Sequence, residues 1–123
     1  MISIDSYGWI ERFGGGPKQG PYNRVIDAVS PTEILTSAVT VFEVYKKAKA
    51  LRGEHAALED VAALGHTRLI PVDQEIALAA ADYSHEHGLH FSNALIYATA
   101  RRHHADLYTS DAALRHLPGV RFI

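Results

Sequence analysis

Asp5, Glu43, Asn93 and Asp111 are the side chains whose types and placement suit metal-assisted chemistry. Asp5 ends an apolar run, Met1-Ile2-Ser3-Ile4, and Asp111 follows another, Leu107-Tyr108-Thr109. If both runs are parallel, neighbouring strands, the two aspartates emerge at one sheet edge, where open α/β sheets bind their ligands. Oxygen ligands gathered there suit Mg²⁺ or Mn²⁺, because hard divalent ions prefer oxygen. Asn93 can lend an amide oxygen to such a set but no charge. A missing charge beside a divalent ion is worth on the order of several kcal/mol at intermediate dielectric.

Taken singly, none of the four is diagnostic. Asp5 and Ser6 are both good helix caps. Glu43 lies off the apolar stripe of its helix and can pair with Lys46 or Lys47 one turn on, which is the favoured reading of that residue alone. Asn93, in the first turn after Ser92, and Asp111, ahead of a short helix, are ordinary capping chemistry.

The elements that must position these residues alternate between strand and helix. Strands are expected at Met1–Ile4, Ile34–Val39, Arg68–Val72, Asp106–Thr109 and Val120–Ile123. Ser6 is read as capping a helix from Tyr7 that stops at Gly14-Gly15-Gly16-Pro17. Tyr22–Val29 reads as a short helix, and Thr40–Leu51 carries Val41, Val44, Tyr45 and Ala48 on one stripe. Further helices are expected at His55–Leu64, from Asp73 to Glu86, and from Asn93 to His103 behind a Ser92 cap. Asp111 opens a last short helix that ends at Pro118-Gly119. Alternation of this kind predicts α/β architecture, a parallel sheet with helices on both faces. The whole chain, 1–123, reads as one domain without linker, repeat or low-complexity segment.

Composition narrows the function. The 123 residues are 47% hydrophobic, enough for a core without staples. There is no cysteine, which excludes thiolate zinc sites, disulfides and thiol redox chemistry. A net charge of −2 argues against a broad basic surface gripping nucleic acid through phosphates alone. No apolar run is long enough to span a bilayer and no signal peptide is visible, so a cytoplasmic protein without membrane association is expected.

Three further motifs join the opening Ile2-Ser3-Ile4-Asp5-Ser6. They are Phe42-Glu43-Val44-Tyr45-Lys46-Lys47, then Ser92-Asn93-Ala94-Leu95-Ile96-Tyr97-Ala98-Thr99-Ala100, then Leu107-Tyr108-Thr109-Ser110-Asp111 with Leu117-Pro118-Gly119-Val120. Together and in this order, over nearly the whole chain, they resemble the PIN-domain ribonucleases of the VapC toxin type. The resemblance implies a three-layer α/β/α fold with a central parallel sheet of four to five short strands. It implies an endoribonuclease dependent on Mg²⁺ or Mn²⁺, acting on RNA, homodimeric, and inhibited by a small antitoxin. Acids are usual at the positions of Asp5, Glu43 and Asp111, a small hydroxyl residue at Thr109, and an aspartate where Asn93 stands.

On this resemblance Asp5 and Asp111 are metal ligands, and Glu43 holds a metal-bound water or a second ion. Ser6 and Thr109 orient the carboxylates. Cleavage leaves a 5′-phosphate and a 3′-hydroxyl. Lys46, Arg101 and Arg102 are candidates for meeting RNA phosphates, or equally are solvated helix faces. Asn93 reads either as an Asp→Asn replacement that makes a toxic nuclease producible or as natural divergence, and it should weaken both metal binding and rate.

Rival readings fare less well. A zinc hydrolase would need His-Glu-x-x-His, and after His85-Glu86 the second histidine is replaced by Leu89. An aspartyl phosphatase would want a second aspartate two residues after Asp5, where Tyr7 stands. The alternative from another class is a catalytically inactive module of the same fold that binds antitoxin or RNA.

Overall fold

The computed structural model describes residues 1–123. Five short strands form one sheet: β1 (Ile2–Ile4), β2 (Ile34–Ser37), β3 (Arg68–Ile70), β4 (Asp106–Thr109) and β5 (Val120–Phe122). Their spatial order is β3-β2-β1-β4-β5, and every pairing is parallel. Register is set at the centre, where Ile2 faces Ile34 on one side and Asp106 on the other. The chain first moves outward from β1 through β2 to β3, then returns to build β4 and β5 on the other flank. The order therefore reverses between β1 and β4, and a crevice opens beyond the carboxyl ends of those two strands.

Six helices cover the sheet: α1 (Ser6–Gly14), α2 (Gln19–Ile26), α3 (Ala38–Arg52), α4 (Glu54–Leu64), α5 (Gln74–His87) and α6 (Phe91–Arg102). Side chains alternate along strands, so the sheet feeds two cores, one on each face. Ile34 and Ile4 join Trp9, Tyr22, Ile26, Val44 and Leu64 under α1 to α4. Leu35 and Leu107 join Ile76, Ala80, Leu95 and Ala98 under α5 and α6. This is the expected three-layer α/β/α arrangement, with five strands.

The boundaries correct several expectations. Asp5, not Ser6, caps α1, accepting from the Gly8 N–H at 2.8 Å. The helix expected to begin at Tyr22 begins at Gln19, because Gly20 and Pro21 fall in its first turn, where proline's missing N–H is not needed. Val39 belongs to α3, capped by Ser37, and β2 ends there. β3 stops at Ile70, two residues early. Ser92 is not a cap: α6 already starts at Phe91, and the Ala94 N–H bonds the His90 carbonyl at 2.9 Å. Asp73 caps α5 as expected, bonding the Ile76 N–H. The last short helix is a 3₁₀ turn, Ala112–Leu114, which Asp111 caps through the Ala113 N–H.

Candidate functional site

Asp5, Glu43, Asn93 and Asp111 line one cleft of about 620 Å³ at the carboxyl edge of the sheet. Each arrives by a different route. Asp5 is the first residue beyond β1, and Asp111 lies two residues beyond β4. Glu43 projects from the second turn of α3, and Asn93 from the first turn of α6. The strand-order reversal brings the first two together, and the two helices flank them.

Asp5 is 4% exposed and is held by three donors. Its Oδ1 accepts from the Gly8 N–H at 2.8 Å and the Tyr22 hydroxyl at 3.0 Å; its Oδ2 accepts from Thr109 Oγ1 at 2.6 Å. Burial pushes its carboxyl above the ordinary 3.8, the three hydrogen bonds pull it back, and the like charge of Asp111 adds to the rise. Thr109 does two jobs, since its Oγ1 also accepts the Asp111 N–H at 3.0 Å. One buried hydroxyl thus ties both aspartates to the same point.

Glu43 is half-buried rather than turned to solvent. Its Oε1 accepts from Ser6 Oγ at 2.7 Å, and Ser6 also reaches Thr40 Oγ1 at 3.1 Å. The expected pairing with Lys46 or Lys47 does not form. Thr40 and Glu43 face the cleft end of α1, while Val44 and Ala48 continue the same side of α3 into the core. The exposed Asp111 takes the Asn93 side-chain N–H on Oδ2 at 2.9 Å. No three of the His, Asp and Glu side chains converge closely enough to hold a metal ion as they stand. The acids are distributed around the cleft rather than gathered on one point.

The cleft's cations are not those singled out in the sequence. Lys18 and Lys47 line it, together with Tyr7, Ser92 and Ser110. Lys46 lies over the exposed Phe42 ring at 5.8 Å. Arg102 pairs with Glu75, and Arg101 packs against Gly119, both at the far end of α6. Tyr22 was missed as well. Its hydroxyl meets Asp5 and accepts the Ser110 N–H at 2.9 Å, and burial followed by the Asp5 charge pushes it well above its ordinary pKa. Nothing local in the sequence marks it, because the contact depends on how α2 docks.

The family model for the PIN domain matches residues 2–120. The chain belongs to the PIN domain family. Solved structures agree with its fold over most of the chain. A toxin–antitoxin complex from Klebsiella pneumoniae contains a chain 26% identical, with a TM-score of 0.84, covering 98% of this chain and 96% of that one. The VapC20 toxin of Mycobacterium tuberculosis, described as cleaving the sarcin–ricin loop, shares 18% identity at a TM-score of 0.80, with 98% and 99% covered. FitAcB from Neisseria gonorrhoeae shares 22% at 0.69, with 92% and 89% covered. The last two likenesses speak to the PIN fold alone. Comparison with curated protein sequences finds no match. The VapC-type PIN reading of the four motifs is thus met by the family match and by the 26%-identical chain of a toxin–antitoxin complex. No helix of this PIN domain is long and apolar enough to cross a membrane.

Proposed function

We propose that this PIN domain is the Mg²⁺- or Mn²⁺-dependent endoribonuclease toxin of a toxin–antitoxin pair, and that Asn93 lowers its activity. The observation that carries the reading is the cleft itself. Asp5 and Asp111 stand at the strand-order reversal of a PIN fold, tied to one buried hydroxyl, with Asn93 bonded to Asp111 and Glu43 lining the same cleft.

The donor set fits a hard divalent ion. All four side chains offer oxygen. Asp5 is a buried carboxylate whose ionisation is resisted by its surroundings and by Asp111, which is the imbalance a cation corrects. Asp5 and Asp111 would hold the ion, with Glu43 and the Asn93 carbonyl in outlying positions. When bound, such an ion lowers the pKa of a water and neutralises phosphate oxygens.

The chain's own residues do the rest. Thr109 orients Asp5 and fixes the turn that presents Asp111. Ser6 occupies Glu43 Oε1, leaving Oε2 to accept a proton from a water in the cleft. Lys18 and Lys47 pair with the phosphates of the RNA strand. The exposed acids attract an arginine of the antitoxin, which forks onto carboxylates and would fill the cleft. A homodimer that binds antitoxin in this way is the form we propose for the cell.

A second reading, an inactive module that binds antitoxin or RNA, draws on two observations. The Asn93 amide already donates to Asp111 Oδ2, and no three acids converge. Titration with Mn²⁺ separates the two. The proposed nuclease binds Mn²⁺ weakly as it is and tightly as Asn93→Asp, and the tight form cleaves a structured RNA until EDTA is added. Failure of Asn93→Asp to bind or cleave would leave the binding module.

A further inference from the structure

Tyr22 comes from α2, outside every motif that marks the cleft, yet its phenol ends between the two walls of the site. The side chain is 0% exposed. Its hydroxyl donates to Asp5 Oδ1 at 3.0 Å, accepts the Ser110 N–H at 2.9 Å, and meets Ser110 Oγ at 3.0 Å. One wall is the exit of β1 and the other is the exit of β4, one residue before Asp111.

The ring's path is built into α1. A Cβ at Gly8 would lie 2.4 Å from Tyr22 Cε1, 2.5 Å from Cδ1 and 2.7 Å from Ile4 Cγ2. Glycine inside a helix is unfavourable, so a bare position there needs a local reason. Here the tyrosine ring occupies the space that any side chain would need. The same glycine gives its N–H to the same Asp5 oxygen.

Acceptor arithmetic adds the chemical point. A carboxylate offers about four acceptor positions, two on each oxygen. Gly8 and Tyr22 take both on Oδ1, and Thr109 takes one on Oδ2. The position left for any incoming ligand is on Oδ2.

We infer that Tyr22 is a positioning residue, which saturates Oδ1 of Asp5 and anchors the Ser110 amide so that Asp5 offers a single oxygen toward Asp111. This deepens the proposed function and rests on it. Losing the hydroxyl frees Oδ1 to compete for the ligand and leaves the Ser110 amide without its acceptor. Thr109 remains as the side-chain link between the walls.

The test compares Tyr22→Phe, in the parent and in Asn93→Asp, by Mn²⁺ titration followed by electron paramagnetic resonance and by single-turnover RNA cleavage. Phenylalanine keeps the ring against Gly8. Expected are a roughly ten- to hundredfold loss of Mn²⁺ affinity and a comparable fall in kcat in the Asn93→Asp background. KM for RNA stays constant, since the cleft lysines are untouched. Gly8→Ala keeps the hydroxyl but displaces the ring, and should reproduce the same pattern. It decides the matter if Tyr22→Phe fails to fold. Unchanged kcat and Mn²⁺ affinity in an Asn93→Asp background that cleaves would overturn the inference and leave the nuclease reading standing. A change in melting temperature or KM alone would also overturn it. An Asn93→Asp form that neither binds Mn²⁺ nor cleaves would sink both.

Discussion

The side-chain amide of Asn93 donates to Oδ2 of Asp111 across 2.9 Å. A second carboxylate in place of that amide could not make this bond. Without a cation the two acids would repel, so the contact that keeps the cleft quiet without metal is the one a working metal centre would forgo.

Asn93→Asp should therefore trade stability for activity. RNA cleavage with saturating Mn²⁺ should rise roughly a hundredfold or more, from the restored ligand charge. Stability without metal should fall by about 1 kcal/mol, a modest figure because Asp111 is exposed and screened. Mn²⁺ should return the lost stability by binding only the folded form. Urea unfolding with and without Mn²⁺, beside the cleavage assay, checks both halves; equal cleavage rates would remove position 93 from the site.

Asp5 sets a pH dependence. Its folded pKa lies above the ordinary 3.8, so the folded protein favours the protonated carboxyl. That contribution is fully present below about the ordinary value and is lost as pH rises through the raised folded value, since the unfolded chain then holds fewer protons than the native one. Asp5→Asn should abolish cleavage and remove this component. The gap in urea midpoint between Asp5→Asn and the parent should shift in favour of the variant from pH 3.5 to pH 7. A gap that stays constant across that range contradicts the assignment.

Thr109 is 0% exposed and serves both aspartates. Thr109→Val keeps the shape but leaves Asp5 Oδ2 and the Asp111 N–H without their partner, at a cost of about 1–3 kcal/mol. Removing a hydrogen bond that favours the charged form also pushes the Asp5 carboxyl further up. Thr109→Ser should restore most of both. Thermal unfolding and Mn²⁺ titration of the two variants would show whether the hydroxyl, rather than the methyl, matters.

Lys47→Ala and Lys18→Ala should each weaken RNA binding and reduce the slope of log affinity against log salt by about 1. Lys46→Ala and Arg102→Ala should leave that slope alone, because neither side chain lines the cleft. Binding of a fluorescent RNA over a salt series gives the slopes directly. An equal effect from Arg102→Ala would move the RNA path to the far end of α6.

The strands and their order of appearance were legible because parallel strands buried on both faces read as short apolar runs, as Ile34-Leu35 and Leu107-Tyr108 do. Asp5 and Asp111 were legible because they end such runs. Glu43 was legible through the resemblance but not through its helix pattern, which suggested a lysine pairing, since the polar pair Ser6 and Thr40 extends the buried side of α3 beyond its apolar residues. The cleft lysines were invisible for a different reason. Lys18 follows the glycine-rich turn and Lys47 shares its helix with Lys46, Lys49 and Arg52, so only packing decides which cation faces inward. Tyr22 reaches the site across a helix–helix contact that no periodicity encodes.

The central place of β1 has a consequence in time. Its first neighbour, β2, is synthesised 32 residues after Ser3, and the Thr109 hydroxyl that ties Asp5 lies 104 residues downstream. Pairings so remote in sequence form late and together. A growing polypeptide thus carries Asp5 long before the second wall of the cleft, 104 residues further on, has been made, so the cleft and the central sheet are acquired in the same step.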